Sequence, residues 1–404
     1  MSRPSQPVDA ASLMQTYPPA PVTFARGSGT ELWDVQGRRY LDFIGGLAVV
    51  SLGHAHPEVA DALAAQARKL VHVSNLFANE IGPQLAATLD RLLGGGGQVF
   101  LCNSGAEANE CALKLARRWG GHGKFVVVSA FGSFHGRTLA TLAATGQPTK
   151  HEPFQPLPEG FRHVAFGDLD DLVRAVDPSV AAILLEPVQG EGGVHPADAE
   201  YFRGVRELCD ERGLLFMVDE VQTGLGRTGR WFGFEHFDVR PDVVSVAKAL
   251  GNGVPIGACW ARSEVAAAFV PGDHGSTYGG QPLAASAARA VLDVMERDRL
   301  PEAAAAAGAK LAAKLEDLDG VASVRGLGLL LAAELDEGID AKRAAAECLD
   351  SGLVVNAVTP TALRLAPPLT VSDAEIAEAV QILASVLAAQ RATTTDQPDG
   401  VAMP

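Results

Sequence analysis

Apolar and polar positions follow two rhythms along this chain, and the change of rhythm divides it. Glu58–Leu70 (EVADALAAQARKL), after Pro57, and Gln84–Leu93 (QLAATLDRLL), after Pro83, place apolar residues at helical spacing. From Gln98 onward, short unbroken apolar runs take over: QVFLCN, KFVVVS, AAILLE, LLFMVD, DVVSVA and IGACWA. Runs of this length, apolar on both faces, predict strands buried on both sides. Between them, AEANECALKLARRW and AEYFRGVRELCDERG return to the helical period. Such alternation predicts an α/β fold with a mainly parallel, doubly wound sheet over about residues 60–275.

The flanks read differently. Residues 1–20 are rich in Pro and Ser and predict an irregular arm, and Gly27–Phe43 alternates like short antiparallel strands about a Gln-Gly turn. After Gln281 the chain becomes Ala-rich and helical, and GLGLLLAAEL and ALRLAP are strand candidates of a smaller α+β domain. TTTDQPDGVAMP closes the chain with the composition of a disordered tail. The expected division is 1–55 (arm and part of the small domain), 56–282 (large domain), 283–391 (rest of the small domain) and 392–404 (tail).

Bulk properties remove several function classes. A chain of 404 residues exceeds one ordinary core, and 47% apolar content makes it globular. A net charge of −15 argues against nucleic acid and anionic membrane surfaces as partners. Any anion must therefore be held locally, against the field of the whole molecule. The five cysteines, Cys102, Cys111, Cys209, Cys259 and Cys348, lack metal-ligand spacing, so reduced, buried thiols and no metal site are expected. There is no secretion signal and no run of 18 apolar residues, which predicts a cytoplasmic protein with no membrane span.

Within Phe216–Trp260, two apolar runs end in ionisable residues, LLFMVD in Asp219 and DVVSVAK in Lys248, twenty-nine residues apart. Strand ends are where open α/β sheets bind ligands. An amine and an acid there suit a Schiff-base lysine and the partner of a protonated pyridine nitrogen, the pair that pyridoxal phosphate requires. A structural ion pair or a solvated strand end also fits these two residues. Ser104-Gly105-Ala106, between a strand and a helix, offers backbone amides to an anion or is an ordinary capped turn. Phe134 and Arg137 follow another strand and suit ring stacking beside carboxylate binding, or a surface loop. Glu186 and Glu191 lie on a Gly-rich strand exit that permits close approach to a ligand or serves only a turn. Arg364, inside an apolar strand, needs an anionic partner, in a site or in a structural salt bridge. The loop Gly275–Gly280, with Ser276 and Thr277, suits oxygen anions or a plain turn.

Taken in order, NSGAEANECALKLAR, FHGRT, EPVQGEGG, VDEVQTGLGRTG, AKALGNGVPIGA, GSTYGG and RLAPP resemble the class III, pyridoxal-phosphate-dependent aminotransferases of fold type I, from about Phe24 to about Ala388. The resemblance implies catalytic roles for Lys248, which carries the cofactor and shuttles a proton, and Asp219, which keeps the pyridine nitrogen protonated. It implies that Gln222 bonds the ring hydroxyl, with Val221 and Phe134 on opposite ring faces and Glu186 nearby. Ser104, Gly105 and Ala106 would hold the phosphate, joined by Thr277 from a neighbouring subunit, so a homodimer with shared sites is implied. Arg137, with Ser276 close by, would bind the substrate carboxylate. Glu191 and Arg364 would form a switch, paired for an ω-amine and parted for glutamate.

Departures bear on substrate. Leu47 stands where ornithine-specific members of the family present a tyrosine to a free α-ammonium. An apolar residue there suits an acylated α-nitrogen, because it leaves no buried charge unpaired. The expected substrates are N2-acetylornithine and 2-oxoglutarate, giving the 5-semialdehyde and glutamate by a ping-pong exchange. Ornithine, succinylornithine, 4-aminobutyrate or a carrier-linked lysine are alternatives with the same mechanism. A pyridoxal-phosphate mutase or decarboxylase, or an inactive homologue, is a further one. Asn252 interrupts a Gly-Gly run and Gln281 replaces an asparagine, both expected to be tolerated.

Overall fold

In the computed structural model, which describes residues 12–395, the six apolar runs form six strands of a seven-stranded sheet. Its order is Gly97–Cys102, Gly257–Arg262, Val243–Val246, Leu215–Asp219, Val180–Leu185, Val126–Ala130 and Phe161–Val164. Gly257–Arg262 runs antiparallel to both neighbours, and the remaining pairings are parallel. The seventh strand escapes the apolar pattern because Arg162 and His163 occupy its middle, tolerable at a sheet edge.

Side chains on one strand alternate between two cores, as a doubly wound sheet requires. Phe216 and Val218 pack with Phe202 and Val205 of the helix Ala199–Arg212. Leu215 and Met217 pack on the other face with Cys111 and Leu115 of the helix Gly105–Gly120. Because the parallel strands share a direction, the loops at Asn103, Phe131, Glu186, Glu220 and Ala247 leave from one edge of the sheet.

The smaller part is built from both ends of the chain. Phe24–Ser28, Glu31–Asp34 and Arg39–Asp42 form an antiparallel meander, and Leu353–Val354 extends it by pairing parallel to Leu41 and Asp42. A second sheet contains Val321–Leu327, Leu330–Leu335, Ala362–Leu365 and Asn356–Ala357. The run GLGLLLAAEL is therefore not one strand but spans a hairpin, turning at Gly328 with φ +54°. A Cβ at Gly328 would stand 2.4 Å from the Thr228 carbonyl carbon, so only glycine fits there. Arg227, buried, ties the two parts together: its guanidinium donates to the carbonyls of Leu329 (3.0 Å) and Pro367 (2.5 Å) and to Ser51 Oγ (3.3 Å).

One terminal expectation needs correction. The last helix, Asp373–Thr395, runs past residue 392, because the Ala-rich pattern continues through Ala392. The remaining tail residues, and residues 1–11 of the arm, lie outside the described residues. Among the described residues, no helix is long and apolar enough to cross a membrane.

The loop carrying Phe134 and Arg137 is clasped by Gly146, whose amide donates to Ser133 Oγ (3.0 Å) and whose carbonyl accepts from Gly132 (2.8 Å). A Cβ there would lie 2.0 Å from the Ala130 carbonyl oxygen. Gly146→Ala should destabilise the protein by about 1–3 kcal/mol through overpacking against backbone. Denaturant unfolding of wild type and variant measures it.

Candidate active site

At that sheet edge lies a cavity of about 390 Å³, and Lys248 and Asp219 both line it. Lys248 does not end its strand as expected. The strand stops at Val246, and Lys248 opens the short 3-10 turn Lys248–Gly251 with φ +42°. A non-glycine residue in left-handed conformation is strained, and here the strain aims the amine into the cavity. Among the described residues the amine makes no hydrogen bond or ion pair. Burial pulls its pKa down to about 8, with Glu191 resisting the fall and Arg364 adding to it.

Asp219 is buried and fully engaged. Its Oδ2 accepts from Asn109 Nδ2 at 2.7 Å and pairs with His135 Nδ1 at 2.8 Å, while Oδ1 accepts from the Val221 amide at 3.0 Å. Asn109 and His135 were not singled out from the sequence. Asn109 is a polar residue on the buried face of a helix otherwise lined by Ala108, Cys111 and Ala112, the one signal that could have found it. His135 sits inside FHGRT with its side chain fully buried, and its Nε2 has no partner. Glu220, also missed, faces away from the site. Burial pushes its pKa up to about 7, against hydrogen bonds from Thr223 Oγ1 (2.5 Å) and the amides of Gly233 (2.9 Å) and Phe234 (2.8 Å).

The turn at Ser104 is a helix N-terminus. Ser104 Oγ accepts from the Glu107 amide at 3.2 Å, and Glu107 reaches back to the Asn103 amide at 2.9 Å. Ser104, Gly105 and Ala106 line the cavity at this positive helix end. A Cβ on Gly105 would lie 2.7 Å from Val221 Cγ1, so the backbone closes on the cavity with nothing to spare. Ser276 Oγ accepts from Asn103 Nδ2 at 3.1 Å, placing it beside this turn.

Phe134, Arg137, Glu186, Glu191, Val221 and Gln222 also line the cavity. Glu186 Oε2 accepts from the Phe134 amide at 3.1 Å; burial and the nearby Asp219 push its carboxyl well above the usual range. Arg364 stands behind Glu191 rather than on the wall, 1% exposed, with Nη1 2.6 Å from Glu191 Oε1 and 3.1 Å from Gln222 Oε1. Burial opposes ionisation of Glu191, yet the Arg364 charge and hydrogen bond hold its pKa below the ordinary value. Arg364 Nη2 is buried without a partner.

Four expected residues are not on the cavity wall: Arg364 behind Glu191, Ser276 beside the Ser104 turn, Leu47 and Thr277. Leu47 is 44% exposed and left-handed (φ +67°), and Val49 lines the cavity instead. Thr277 is exposed outside the cavity. The departures Asn252 and Gln281 have structural work: Asn252 exchanges hydrogen bonds with Leu52 (2.8 Å) and Gly53 (3.0 Å), and Gln281 caps the helix Pro282–Arg297. All five cysteines are free and buried, and no metal-ligating cluster occurs among the described residues.

Residues 13–387 match the family model "Aminotransferase class-III". An acetylornithine aminotransferase of Corynebacterium efficiens is 49% identical over 93% of this chain and 95% of its own length. One from Methanothermobacter thermautotrophicus is 45% identical over 93% and 96%. Among solved structures, ornithine aminotransferase from Toxoplasma gondii superposes with a TM-score of 0.91 at 33% identity, covering 95% of this chain and 94% of that one. N-acetylornithine aminotransferase from Stenotrophomonas maltophilia superposes with 0.81 at 37%, covering 93% and 98%. The chain belongs to the class III aminotransferases, with the fold type I architecture and the pyridoxal phosphate dependence of that family.

The residues fit that cofactor. An amine without a partner, an anchored buried carboxylate and a glycine-lined helix N-terminus share one cavity with an aromatic side chain. Since only a neutral amine is nucleophilic, the lowered pKa of Lys248 has a direct readout. In cofactor-free protein, acylation of Lys248 by an amine-directed reagent should reach half its maximal rate near pH 8. Glu191→Gln should move that midpoint lower, by removing an anion and unpairing Arg364. Peptide mapping across a pH series checks both.

Proposed function

We propose that the protein transfers the δ-amino group of N2-acetylornithine to 2-oxoglutarate, with Lys248 and Asp219 as its catalytic residues. The observation that carries this reading is the pair of cationic sites at one cavity, one open and one shut. Arg137 lines the cavity and is exposed, while Arg364 is buried and held by Glu191 at 2.6 Å. With the pair closed, one arginine is available, which suits an ω-amine with a single carboxylate. Parting it offers two, which suits a dicarboxylate such as glutamate or 2-oxoglutarate. The unpartnered Nη2 of Arg364 leaves a donor ready for that second carboxylate.

When bound, pyridoxal phosphate supplies an electron sink for the charge released at the amine-bearing carbon. Lys248, with an amine poised to be neutral near pH 8, would take and return the proton at that carbon. Asp219, fixed by Asn109, His135 and the Val221 amide, would hold a proton on the ring nitrogen. Glu186, whose carboxyl burial and the nearby Asp219 push well above the usual range, lines the same cavity. Ser104, Gly105 and Ala106 would receive the phosphate, Gln222 the ring hydroxyl, and Val221 and Phe134 the two ring faces. Val49, which lines the cavity where Leu47 does not, offers an apolar neighbour to an acylated nitrogen.

Stopped-flow half-reactions test the substrate. Exposing a charged α-ammonium to an apolar wall costs roughly 1–3 kcal/mol, so acetylornithine should exceed ornithine by about ten- to hundredfold in kcat/KM. A preference for free ornithine overturns the reading. Arg364→Ala should slow the glutamate half-reaction far more than the acetylornithine one.

We infer also a homodimer, with 56–282 as the large domain and 1–55 plus 283–391 as the small one, in the cytoplasm. Exposed Leu76, Phe77 and Tyr278 neighbour the Thr277 loop, an apolar surface suited to a second copy that receives Thr277 at its phosphate. Phe77→Asp should give monomers by light scattering and release the cofactor on gel filtration. A monomeric, fully active wild type would end this idea.

A further inference from the structure

Many cations among the described residues have a carboxylate beside them. Arg297 pairs with Glu58 and Asp298, Lys310 with Asp373, and Arg206 with Asp210 and Asp242. At net charge −15 that is expected. Two cations stand beside one ring of the cavity wall, that of Phe134. Arg137 Cζ lies 5.6 Å and Lys150 Nζ 5.3 Å from the centroid of the same ring, Phe134. Among the described residues neither has an ion-pair partner.

Lys150 is fixed in this position. It lies in the short helical turn Pro148–His151 and donates to Gln147 Oε1. Gln147 Nε2 in turn donates to the Ser133 carbonyl at 3.0 Å, on the loop that carries Phe134 and Arg137. The cluster is electrostatically incomplete. Partial burial and then the charge of Arg137 lower the pKa of Lys150, while Glu191 opposes the fall. An anion between the two cations would relieve both the burial cost and the repulsion.

We infer that Lys150 is a substrate-positioning residue, the second cation of a carboxylate clamp that Arg137 and Lys150 form around Phe134. The inference rests on the aminotransferase reading and sharpens it. Every substrate of the proposed exchange carries a carboxylate to Arg137, whichever state the Glu191–Arg364 pair is in. A fork and a point charge on one carboxylate divide the work: Arg137 sets its plane, and Lys150 adds attraction without a directional demand. The clamp thereby favours carboxylated ω-amines over simple alkyl amines.

Two amines that differ by one carboxylate, 5-aminopentanoate and pentylamine, test this in single-turnover half-reactions of the holoenzyme. In K150Q the ratio of their kcat/KM values should fall about tenfold, the scale of one partly solvated charge-assisted contact. KM for 2-oxoglutarate should rise by a similar factor with kcat changed much less. K150R should retain most of the wild-type ratio. An unchanged ratio in K150Q, or equal slowing of both amines, would overturn the clamp, because a displaced Phe134 would slow both. K150R behaving as K150Q would overturn it too. If wild type consumes neither these amines nor N2-acetylornithine in the presence of the cofactor, the aminotransferase reading itself fails.

Discussion

Withdrawing an amine from water while keeping it available is the constraint around which the site is arranged. Lys248 has no hydrogen bond to offset its lost hydration, so its charge is supported only at a distance, by Glu191, Asp219 and Glu186. Three carboxylates cannot all stay ionised in so small a volume, and each is handled differently. Glu186 is driven toward its neutral form, Glu191 is captured by Arg364, and Asp219 is surrounded by donors from Asn109, His135 and Val221. The outcome is one acid anchored by hydrogen bonds, one driven toward its neutral form and one held in a detachable ion pair. The left-handed backbone at Lys248 belongs to the same arrangement, because it points the amine at a space its neighbours have vacated.

Much of this was legible in the sequence. The sheet could be read because strands buried on both faces leave an unbroken apolar signature, which five of its seven strands carry, and the half-buried edge strand Gly97–Cys102 shares it. Phe161–Val164 could not, since an edge strand tolerates Arg162 and His163. GLGLLLAAEL misled because hairpin and single strand share one apolar pattern, and Gly328 was the only mark of the turn. Lys248, Asp219 and Glu186 stand out as ionisable residues at the ends of apolar runs, and Glu191 on the Gly-rich exit after one of them. Asn109 and His135 did not, because their contacts with Asp219 join segments more than eighty residues apart. Leu47 rests on resemblance alone, and its exposed left-handed position shows no wall of its own against the cavity.

The Arg227 contacts show how the two parts of the fold communicate with the site. Arg227 belongs to the loop that follows Asp219, yet its hydrogen bonds reach Ser51, Leu329 and Pro367. Pro367 lies three residues beyond Arg364, so the loops that set Asp219 and Arg364 share a buried guanidinium. Burial lowers the pKa of Arg227 to about 9, against the pull of Asp42, which marks how little water reaches this junction.

The pairing of Leu353–Val354 with Leu41–Asp42 has a consequence for biosynthesis. On a ribosome, which emits the chain from its N-terminus, the first three strands emerge some three hundred residues before the strand that completes their sheet. The large sheet, by contrast, draws all its strands from residues 97–262 and can form while the remainder is still being made. Until residue 354 leaves the exit tunnel, the meander has an unpaired edge, open to any extended neighbour. The order of synthesis thus makes the nascent N-terminal strands the segment most in need of shielding by chaperones.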